Sequence, residues 1–194
     1  MTLHFDTATH TYTVDGVVVP SVTQVLAPLY DFSKIAPDVL EVARQKGVAV
    51  HHMIELDCAG DLDEEGLPDW MLPALANWRK FVAESGFVMT ASEHRVFHKT
   101  YKYAGTLDLF GHMRAHPTII DVKRSFAAGP VIGLQLAAYS SAYFGQGDGA
   151  AVKRYALKLC EVGPYKLEPF TDKGDFGVFL SLLTIHKYRE KHSL

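Results

Sequence analysis

The alternation of apolar and polar positions predicts short strands and one short helix at the start of the chain. Residues 4–19 are rich in strand-forming side chains, and Asp15-Gly16 is a strong hairpin signal between two of the predicted strands. Ser21, followed three residues later by Gln24, forms a capping-box pattern. This pattern predicts a short helix that ends at about Leu29. The chain is therefore expected to begin with a β-hairpin and a helical segment.

Apolar residues at intervals of three and four predict two longer helices in the next part of the chain. The first helix covers residues 37–59, and an acidic loop over residues 60–66 follows it. The second helix is amphipathic and covers residues 68–85. The predicted apolar seam of the first helix consists of Leu40, Ala43, Gly47, Val50 and Ile54.

After Gly86 the apolar pattern changes to a period of two, which is typical of strands. The remaining predicted elements are strands over 87–98, 102–113 and 118–123, a helix over 127–144, a glycine-rich turn over 145–149, a strand over 151–162, a short strand around Leu167 and a final helix over about 173–191. His116-Pro117 is predicted to connect two of these strands. The order predicts an α/β fold with a mixed central β-sheet flanked by helices. We interpret residues 1–194 as a single domain, in which residues 1–86 precede an αβ core over 87–194.

The composition narrows the class of protein. The chain has 194 residues, of which 48% are hydrophobic, and this is enough for one domain with a full core. Disordered, collagen-like and disulfide-rich classes are excluded. The N-terminal sequence has no charged region followed by an apolar run, and no stretch approaches the roughly 18 apolar residues of a membrane span. We therefore expect a cytoplasmic protein that does not enter a membrane.

Charge is distributed unevenly along the chain. Residues 1–92 hold 5 Lys and Arg against 13 Asp and Glu, whereas residues 93–194 hold 14 against 9. The net charge of −3 therefore conceals an acidic first half and a basic second half. Such a split can mark a basic working face. The alternative is a chance distribution over a solvated surface, and charge alone favours that alternative.

Two short motifs in the predicted strands carry the candidate chemistry, Gly105-Thr-Leu-Asp108 and Asp121-Val-Lys123. Side chains alternate along a strand, so Asp121 and Lys123 lie on the same face, and Asp108 on the neighbouring strand can face them. Two carboxylates suit a hard divalent cation such as Mg²⁺, and the lysine can orient a water nucleophile. The alternative for Asp121-Val-Lys123 taken alone is an ordinary surface ion pair beside a turn.

These motifs, together with three others in the same order, resemble the PD-(D/E)XK nuclease superfamily and specifically its RecB-like exonuclease branch. Gly47-Val-Ala-Val-His51 is similar to the helical GxxxH motif of that branch, and Ser92-Glu93 is similar to its upstream glutamate. Gln135-Leu-Ala-Ala-Tyr139 is similar to its QxxxY helix. The N-terminal hairpin also resembles small phage-encoded members. The resemblance covers nearly the whole chain and implies a restriction-endonuclease-like catalytic core.

The resemblance implies a metal site that holds one or two Mg²⁺ or Mn²⁺ ions. The implied metal ligands are His51, Asp108, Asp121 and the carbonyl of Val122. By the same resemblance, Lys123 would position the attacking water as a catalytic residue beside Asp108 and Asp121. The alternative for His51 is a satisfied histidine in the core or at its boundary.

Glu93, Gln135 and Tyr139 are further candidate catalytic residues. Glu93 could bind a second ion, contact a water or pair with Arg95. Gln135 and Tyr139 are four residues apart and therefore share a helix face. Gln135 could contact a phosphate or Lys123, and Tyr139 could contact the DNA. The alternative for Tyr139 is a tyrosine buried in core packing.

Basic residues in the second half of the chain are candidate contacts to DNA phosphates. Each of them alone is more often a solvated surface charge. The candidates are Lys99, Lys102, Arg124, Lys153 and Arg154, with Lys158 as a sixth.

The function implied by the resemblance is that of a metal-dependent DNA exonuclease in recombination, repair or replication, in the host cytoplasm if the protein is phage-encoded. The expected partners are DNA and a single-strand-annealing or other recombination protein. Relatives with an iron–sulfur cluster hold it through four cysteines, so Cys58 and Cys160 predict no such cluster. The alternatives are a structure-selective or restriction-like DNA endonuclease, a non-cleaving nucleic-acid-binding subunit of the same fold, and a metal-dependent hydrolase of small phosphoesters.

Overall fold

The computed structural model describes residues 1–124, 129–145 and 152–194. The strands are β1 (Leu3–Asp6), β2 (Thr11–Val14), β3 (Val17–Val19), β4 (Phe87–His98), β5 (Tyr103–Met113), β6 (His116–Lys123), β7 (Lys153–Lys158) and β8 (Lys166–Pro169). The α-helices are α1 (Val22–Leu26), α2 (Pro37–Ala59), α3 (Leu72–Ser85), α4 (Val131–Phe144) and α5 (Asp175–His192). Short 3₁₀ helices follow α1 at Ala27–Leu29 and precede α3 at Asp69–Met71.

The strands form two sheets. The small sheet has the antiparallel order β1-β2-β3, and Asp15 and Gly16 join its last two strands with φ of 48° and 82°. The large sheet has the order β4-β5-β6-β7-β8 and is antiparallel except between β6 and β7. Parallel neighbours need a crossover connection, and α4 lies in it. The predicted α/β fold with a mixed central sheet flanked by helices is confirmed, as is the N-terminal hairpin.

Helices cover both faces of the large sheet. On one face, α1, α4 and α5 enclose a core that includes Leu136 and Phe179. On the other face, α2 and α3 enclose a second core around Trp78. Neighbouring residues of β6 point to opposite sides, since Ile119 belongs to the first core and Ile120 to the second. The polar residues that follow them in β6 therefore emerge from a strand that is buried on both faces.

The small sheet fixes the start of α1 beside β5. Tyr12, Val19 and Ala104 belong to a third apolar cluster. The hydroxyl of Tyr12 lies 2.7 Å from Oγ1 of Thr106. The backbone N–H of Ala104 donates a hydrogen bond to the carbonyl of Pro20 at 3.0 Å. The chain therefore enters α1 next to the first residues of β5.

The connection between β5 and β6 differs from the prediction. His116 and Pro117 belong to β6, and Arg114 and Ala115 form the turn. The φ values of these two turn residues are 48° and 67°, which is the left-handed pair of a type I′ turn. Neither residue is the glycine or asparagine that usually signals such a turn, and the pattern therefore pointed to His116-Pro117 instead.

Several boundaries also differ from those predicted. The predicted helix over 68–85 is divided into the 3₁₀ turn Asp69–Met71 and α3. The predicted strand over 151–162 is observed as β7, which is six residues long. The first two residues of the helix predicted over 127–144, most of the turn predicted over 145–149, and residue 151 lie outside the described residues. Within the described residues, no helix is both long and apolar enough to cross a membrane.

Helix α2 is longer than the part of the core that it covers. Its buried residues are Val50, Met53 and Ile54, all in the second half of the helix. Leu40 and the other predicted seam residues before Val50 are only half-buried. The first half of α2 therefore lies at the surface and leads to His51, where the helix meets the sheet.

Candidate metal centre

The pairing of β5 with β6 ends at the candidate site. Leu109 pairs with Ile120 in the last regular step of this ladder. Beyond it, the backbone N–H of Val122 donates a hydrogen bond to Oδ2 of Asp108 at 2.7 Å instead of to a strand carbonyl. Strand β6 continues to Lys123 through its parallel pairing with β7. The carboxylate of Asp108 thus lies between two strands whose ladder has ended.

Glu93 occupies an unusual backbone conformation opposite this point. Its φ is 45° although it lies within β4, where Ser92 and His94 on either side pair regularly with β5. A non-glycine residue in the left-handed region costs on the order of 1–3 kcal/mol, and such residues cluster at functional sites. The carboxylate of Glu93 reaches His51 on α2, with Oε1 2.8 Å from Nδ1.

His51 joins the helix to both strands. Its Nε2 lies 3.3 Å from the carbonyl oxygen of Val122 and 3.6 Å from Oδ2 of Asp108. Burial disfavours the charged ring, but the charge of Asp108 and the hydrogen bond and charge of Glu93 outweigh burial and raise the pKa of His51 to about 9. When it is protonated, the ring can donate from Nδ1 to Glu93 and from Nε2 to the carbonyl of Val122.

These groups fit a divalent metal ion. The ligand atoms of His51, Glu93 and Asp108 all lie within 4.8 Å of one another, and the carbonyl of Val122 adjoins them. Oxygen donors with one imidazole are a set that Mg²⁺ or Mn²⁺ can accept. A protonated His51 would offer these oxygens a positive charge, and a cation bound here would take over that role.

Asp121 and Lys123 form a second group on the α4 side of β6. Asp121 is 1% exposed, and Nζ of Lys123 lies 3.0 Å from its Oδ1 and 2.8 Å from its Oδ2. Nε2 of Gln135 donates to Oδ1 of Asp121 at 3.0 Å. Burial raises the pKa of Asp121, and the charge of Lys123 opposes the rise. The predicted ligand Asp121 is thus held by Lys123 and Gln135 and lies outside the group of His51, Glu93 and Asp108.

Tyr139 packs directly on β5. Its hydroxyl lies 3.5 Å from Nε2 of Gln135, and a Cβ atom added to Gly105 would lie 2.5 Å from its Cε1. The side chain is buried, and burial raises the pKa of Tyr139 well above its usual value. These contacts favour the packing alternative for Tyr139 over a direct contact with DNA.

Tyr30 lies on the same face of the sheet as Asp121 and Lys123, although no motif pointed to it. It follows the 3₁₀ turn Ala27–Leu29, and its ring packs against the core of α1, α4 and α5. Burial raises the pKa of Tyr30, and the charges of Lys123 and Asp121 are near enough to act on it as well. The aromatic composition of residues 30–32 was the only signal in the sequence, and it has no periodicity.

The predicted DNA-binding residues occupy different environments. Lys99 and Lys102 are exposed on the turn between β4 and β5, and Lys153 is exposed at the start of β7. Arg124 forms an ion pair with Glu161.

Arg154 is held by three contacts within the fold. Its Nη1 lies 3.0 Å from Oδ2 of Asp175 and donates to the carbonyl of Gly133 at 3.1 Å. Its Nη2 donates to the carbonyl of Asp172 at 2.7 Å. A role in DNA binding stays a prediction for all five residues.

Comparisons with known proteins add little to this geometry. No family model matches the chain, and no curated protein matches it. A solved structure described as "Crystal structure of SSO0001" aligns with 57% of this chain and 54% of its own chain, at 15% sequence identity and a TM-score of 0.39. This chain therefore spans about half the length of that protein. At these values the similarity assigns neither a family nor a function.

Proposed function

We propose that the chain is a metal-dependent nuclease that hydrolyses phosphodiester bonds in DNA. The observation that carries the proposal is the group of His51, Glu93 and Asp108, whose ligand atoms lie within 4.8 Å of one another beside the Asp121–Lys123 pair. A bound cation and a positive group near the phosphate both promote phosphodiester hydrolysis, and this arrangement offers a place for each. The order of the motifs supports the RecB-like branch of the PD-(D/E)XK superfamily as the family.

The proposed metal ligands come from three strands and one helix. His51, Glu93, Asp108 and the carbonyl of Val122 would hold Mg²⁺ or Mn²⁺, and Asp121 is a further candidate ligand. The bound ion would polarise the phosphate and lower the pKa of a water molecule. Because α2 contributes His51, the N-terminal segment would be part of the catalytic site.

Lys123 is the side chain best placed to act on the phosphate. Its ammonium is held 2.8 Å from the buried Asp121, and 34% of the side chain is exposed. It would donate a hydrogen bond to a phosphate oxygen or to the attacking water. Gln135 would hold Asp121 in position, and Tyr139, packed on Gly105, would hold Gln135.

The more specific form of the proposal is an exonuclease of DNA recombination, repair or replication, because the motif order is that of the RecB-like exonuclease branch. A DNA substrate would place the protein in the cytoplasm, or in the host cytoplasm if the protein is phage-encoded. A single-strand-annealing or other recombination protein would be its partner.

End-labelled DNA tests the proposed activity. Single-stranded and double-stranded substrates are incubated with Mg²⁺, Mn²⁺ or EDTA, and products are separated by length. We expect cleavage with either cation and none in EDTA. Binding without cleavage under every condition would favour the non-cleaving nucleic-acid-binding subunit instead.

The same assay separates exonuclease from endonuclease activity. We expect linear duplex to be degraded to short products while relaxed circular duplex survives under identical conditions. Discrete fragments from the circular substrate would replace the exonuclease with the structure-selective or restriction-like endonuclease.

A further inference from the structure

Two aromatic rings lie in the connection between α1 and α2. The rings of Tyr30 and Phe32 are stacked, with centroids 5.5 Å apart and planes inclined by 10°. Tyr30 packs against the core of α1, α4 and α5, whereas Phe32 is 51% exposed. The stack therefore has a partly buried inner ring and an outer ring that is open to solvent.

The connection passes the end of the sheet at which the candidate site lies. Helix α1 packs on the face that α4 and α5 cover, and α2 packs on the opposite face. The chain therefore passes from one face to the other between Ala27 and Val50, since the first half of α2 lies at the surface. The N–H of Ala104, at the start of β5, donates to the carbonyl of Pro20 just before α1. Because β5 runs antiparallel to β6, this is the end of the sheet where β6 reaches Lys123. Tyr30 follows α1 on the same face of the sheet as Asp121 and Lys123, and the charges of both residues act on the pKa of its hydroxyl.

Local hydrogen bonds hold the outer ring in place. Oδ1 of Asp31 accepts a hydrogen bond from the backbone N–H of Ser33 at 3.0 Å. The backbone N–H of Ile35 donates to the carbonyl of Phe32 at 2.9 Å. The backbone around Phe32 is therefore folded into a turn, and its ring is presented to solvent by an ordered segment.

We propose that Tyr30 and Phe32 form a stacking platform for an unpaired base of a DNA strand whose phosphate lies at Lys123. This inference rests on the proposed function and names the form of DNA that the site accepts. Every nucleobase has a flat face, so stacking on an aromatic ring is tolerant of sequence. Bases inside a duplex already stack on their neighbours, and the platform therefore selects a single strand or an opened end.

Binding of a short fluorescent dT oligonucleotide, measured by anisotropy in EDTA so that no cleavage occurs, tests the platform. Phe32→Ala should weaken binding by roughly tenfold to a hundredfold. Phe32→Trp keeps a flat ring and should bind within about threefold of the wild type. Tyr188→Ala is the matched control, since Tyr188 is 59% exposed on α5, and it should leave binding unchanged.

A strand of the same length whose sugars carry no base separates stacking from general damage to the protein. If the ring contacts a base directly, Phe32→Ala and the wild type should bind this strand equally, because the interaction is already absent. Equal losses on the dT strand and on the base-free strand would overturn the platform, as would the absence of any loss on the dT strand. Wild-type protein that fails to bind the dT strand would overturn it too.

Cleavage by the wild type in Mg²⁺, measured separately, distinguishes this inference from the nuclease assignment. A base-dependent loss of binding in Phe32→Ala, without cleavage by the wild type, would support the platform and contradict the nuclease. Cleavage by the wild type, with unchanged binding by Phe32→Ala, would support the nuclease and overturn the platform.

Discussion

The two aspartates of the candidate site have different partners, although the charge of Asp108 acts on Asp121. Asp108 accepts a hydrogen bond from the backbone N–H of Val122 and faces the ring of His51. Asp121 is buried and pairs with Lys123. Because protein groups already contact both carboxylates, each is oriented before an ion or a substrate arrives. Asp108 is the less buried of the two, with 13% of its side chain exposed, so loss of its charge should change function more than fold.

Asp108→Asn tests whether loss of this charge affects function more than fold, because it replaces one carboxylate oxygen with an amide nitrogen. The amide keeps the size of the side chain and an oxygen that can accept from Val122, but it removes the charge. Mn²⁺ binding, measured by calorimetry, should weaken, and cleavage should fall about a hundredfold or more. Asp61→Asn, in the exposed loop after α2, is the control and should change neither. A folded Asp108→Asn protein with wild-type ion affinity and cleavage would remove Asp108 from the site.

Gly105→Ala tests the packing of Tyr139. The added Cβ would lie 2.5 Å from Cε1 of Tyr139, so the ring must shift within a buried core. Such overpacking costs about 1–3 kcal/mol of unfolding free energy, which urea denaturation measures. Gly47→Ala is the matched change in α2, where the added Cβ meets nothing within 4 Å. It should stabilise the protein by roughly 0.5–1 kcal/mol, because glycine disfavours a helix interior. Equal effects of the two substitutions would contradict the packing role of Tyr139.

The identity of several site residues was predictable because their spacing is local. Asp121 and Lys123 are two residues apart on one strand and therefore share a face, and the structure brings their side chains together. The left-handed backbone of Glu93 was not predictable, since it depends on how β4 meets β5 opposite Asp108. Tyr30 was missed for a similar reason: its packing on the face that carries Asp121 and Lys123 results from the path of the chain between two layers.

At the scale of whole elements, an ion pair joins β7 to α5. Arg154 and Asp175 lie 3.0 Å apart with side chains 11% and 12% exposed, and Arg154 also donates to the carbonyl of Gly133 in α4. Arg154→Met would leave Asp175 without its partner in a buried position. We expect a loss of about 3–5 kcal/mol of unfolding free energy, measured by urea denaturation.

Lys153→Met is the matched control for this change, because Lys153 is the exposed neighbour of Arg154 on β7. Its effect on stability should stay within about 0.5 kcal/mol. If Arg154→Met unfolded like the wild type but bound DNA more weakly, the predicted DNA contact would be supported and the structural role rejected.

Helices and strands were predictable where the apolar residues kept one periodicity and a common cap or turn sequence marked the end of the element. The predicted capping box of Ser21 and Gln24 is present at the start of α1. The predicted hairpin turn at Asp15-Gly16 is present between β2 and β3. The turn at Arg114 and Ala115 lacks such a signal, and its left-handed φ values are imposed by the pairing of β5 with β6. The helical period of α2 predicted which side of the helix is apolar, but it could not predict that only the second half of the helix is buried against the sheet.

At the scale of the whole molecule, the acidic first half and the basic second half meet at the candidate site. His51 comes from the first half, and Asp108 and Lys123 come from the second. Strand β5 runs antiparallel to β6, so the turn before β5 lies at the end of the sheet where β6 reaches Lys123. That turn carries the exposed Lys99 and Lys102. The basic excess of the second half is thus partly placed where a DNA strand would approach.

Salt dependence of DNA binding tests this placement. Affinity for a short duplex, measured by anisotropy, should fall as salt rises, with a logarithmic slope of about −0.9 for each phosphate neutralised. Lys102→Gln should make the slope shallower by about 0.9 and weaken binding alike for all sequences. Lys80→Gln on α3, where Nζ lies 3.8 Å from Glu84, is the control and should leave the slope unchanged. Affinity that stays constant from low to moderate salt would argue against a polyanionic substrate and for a metal-dependent hydrolase of small phosphoesters.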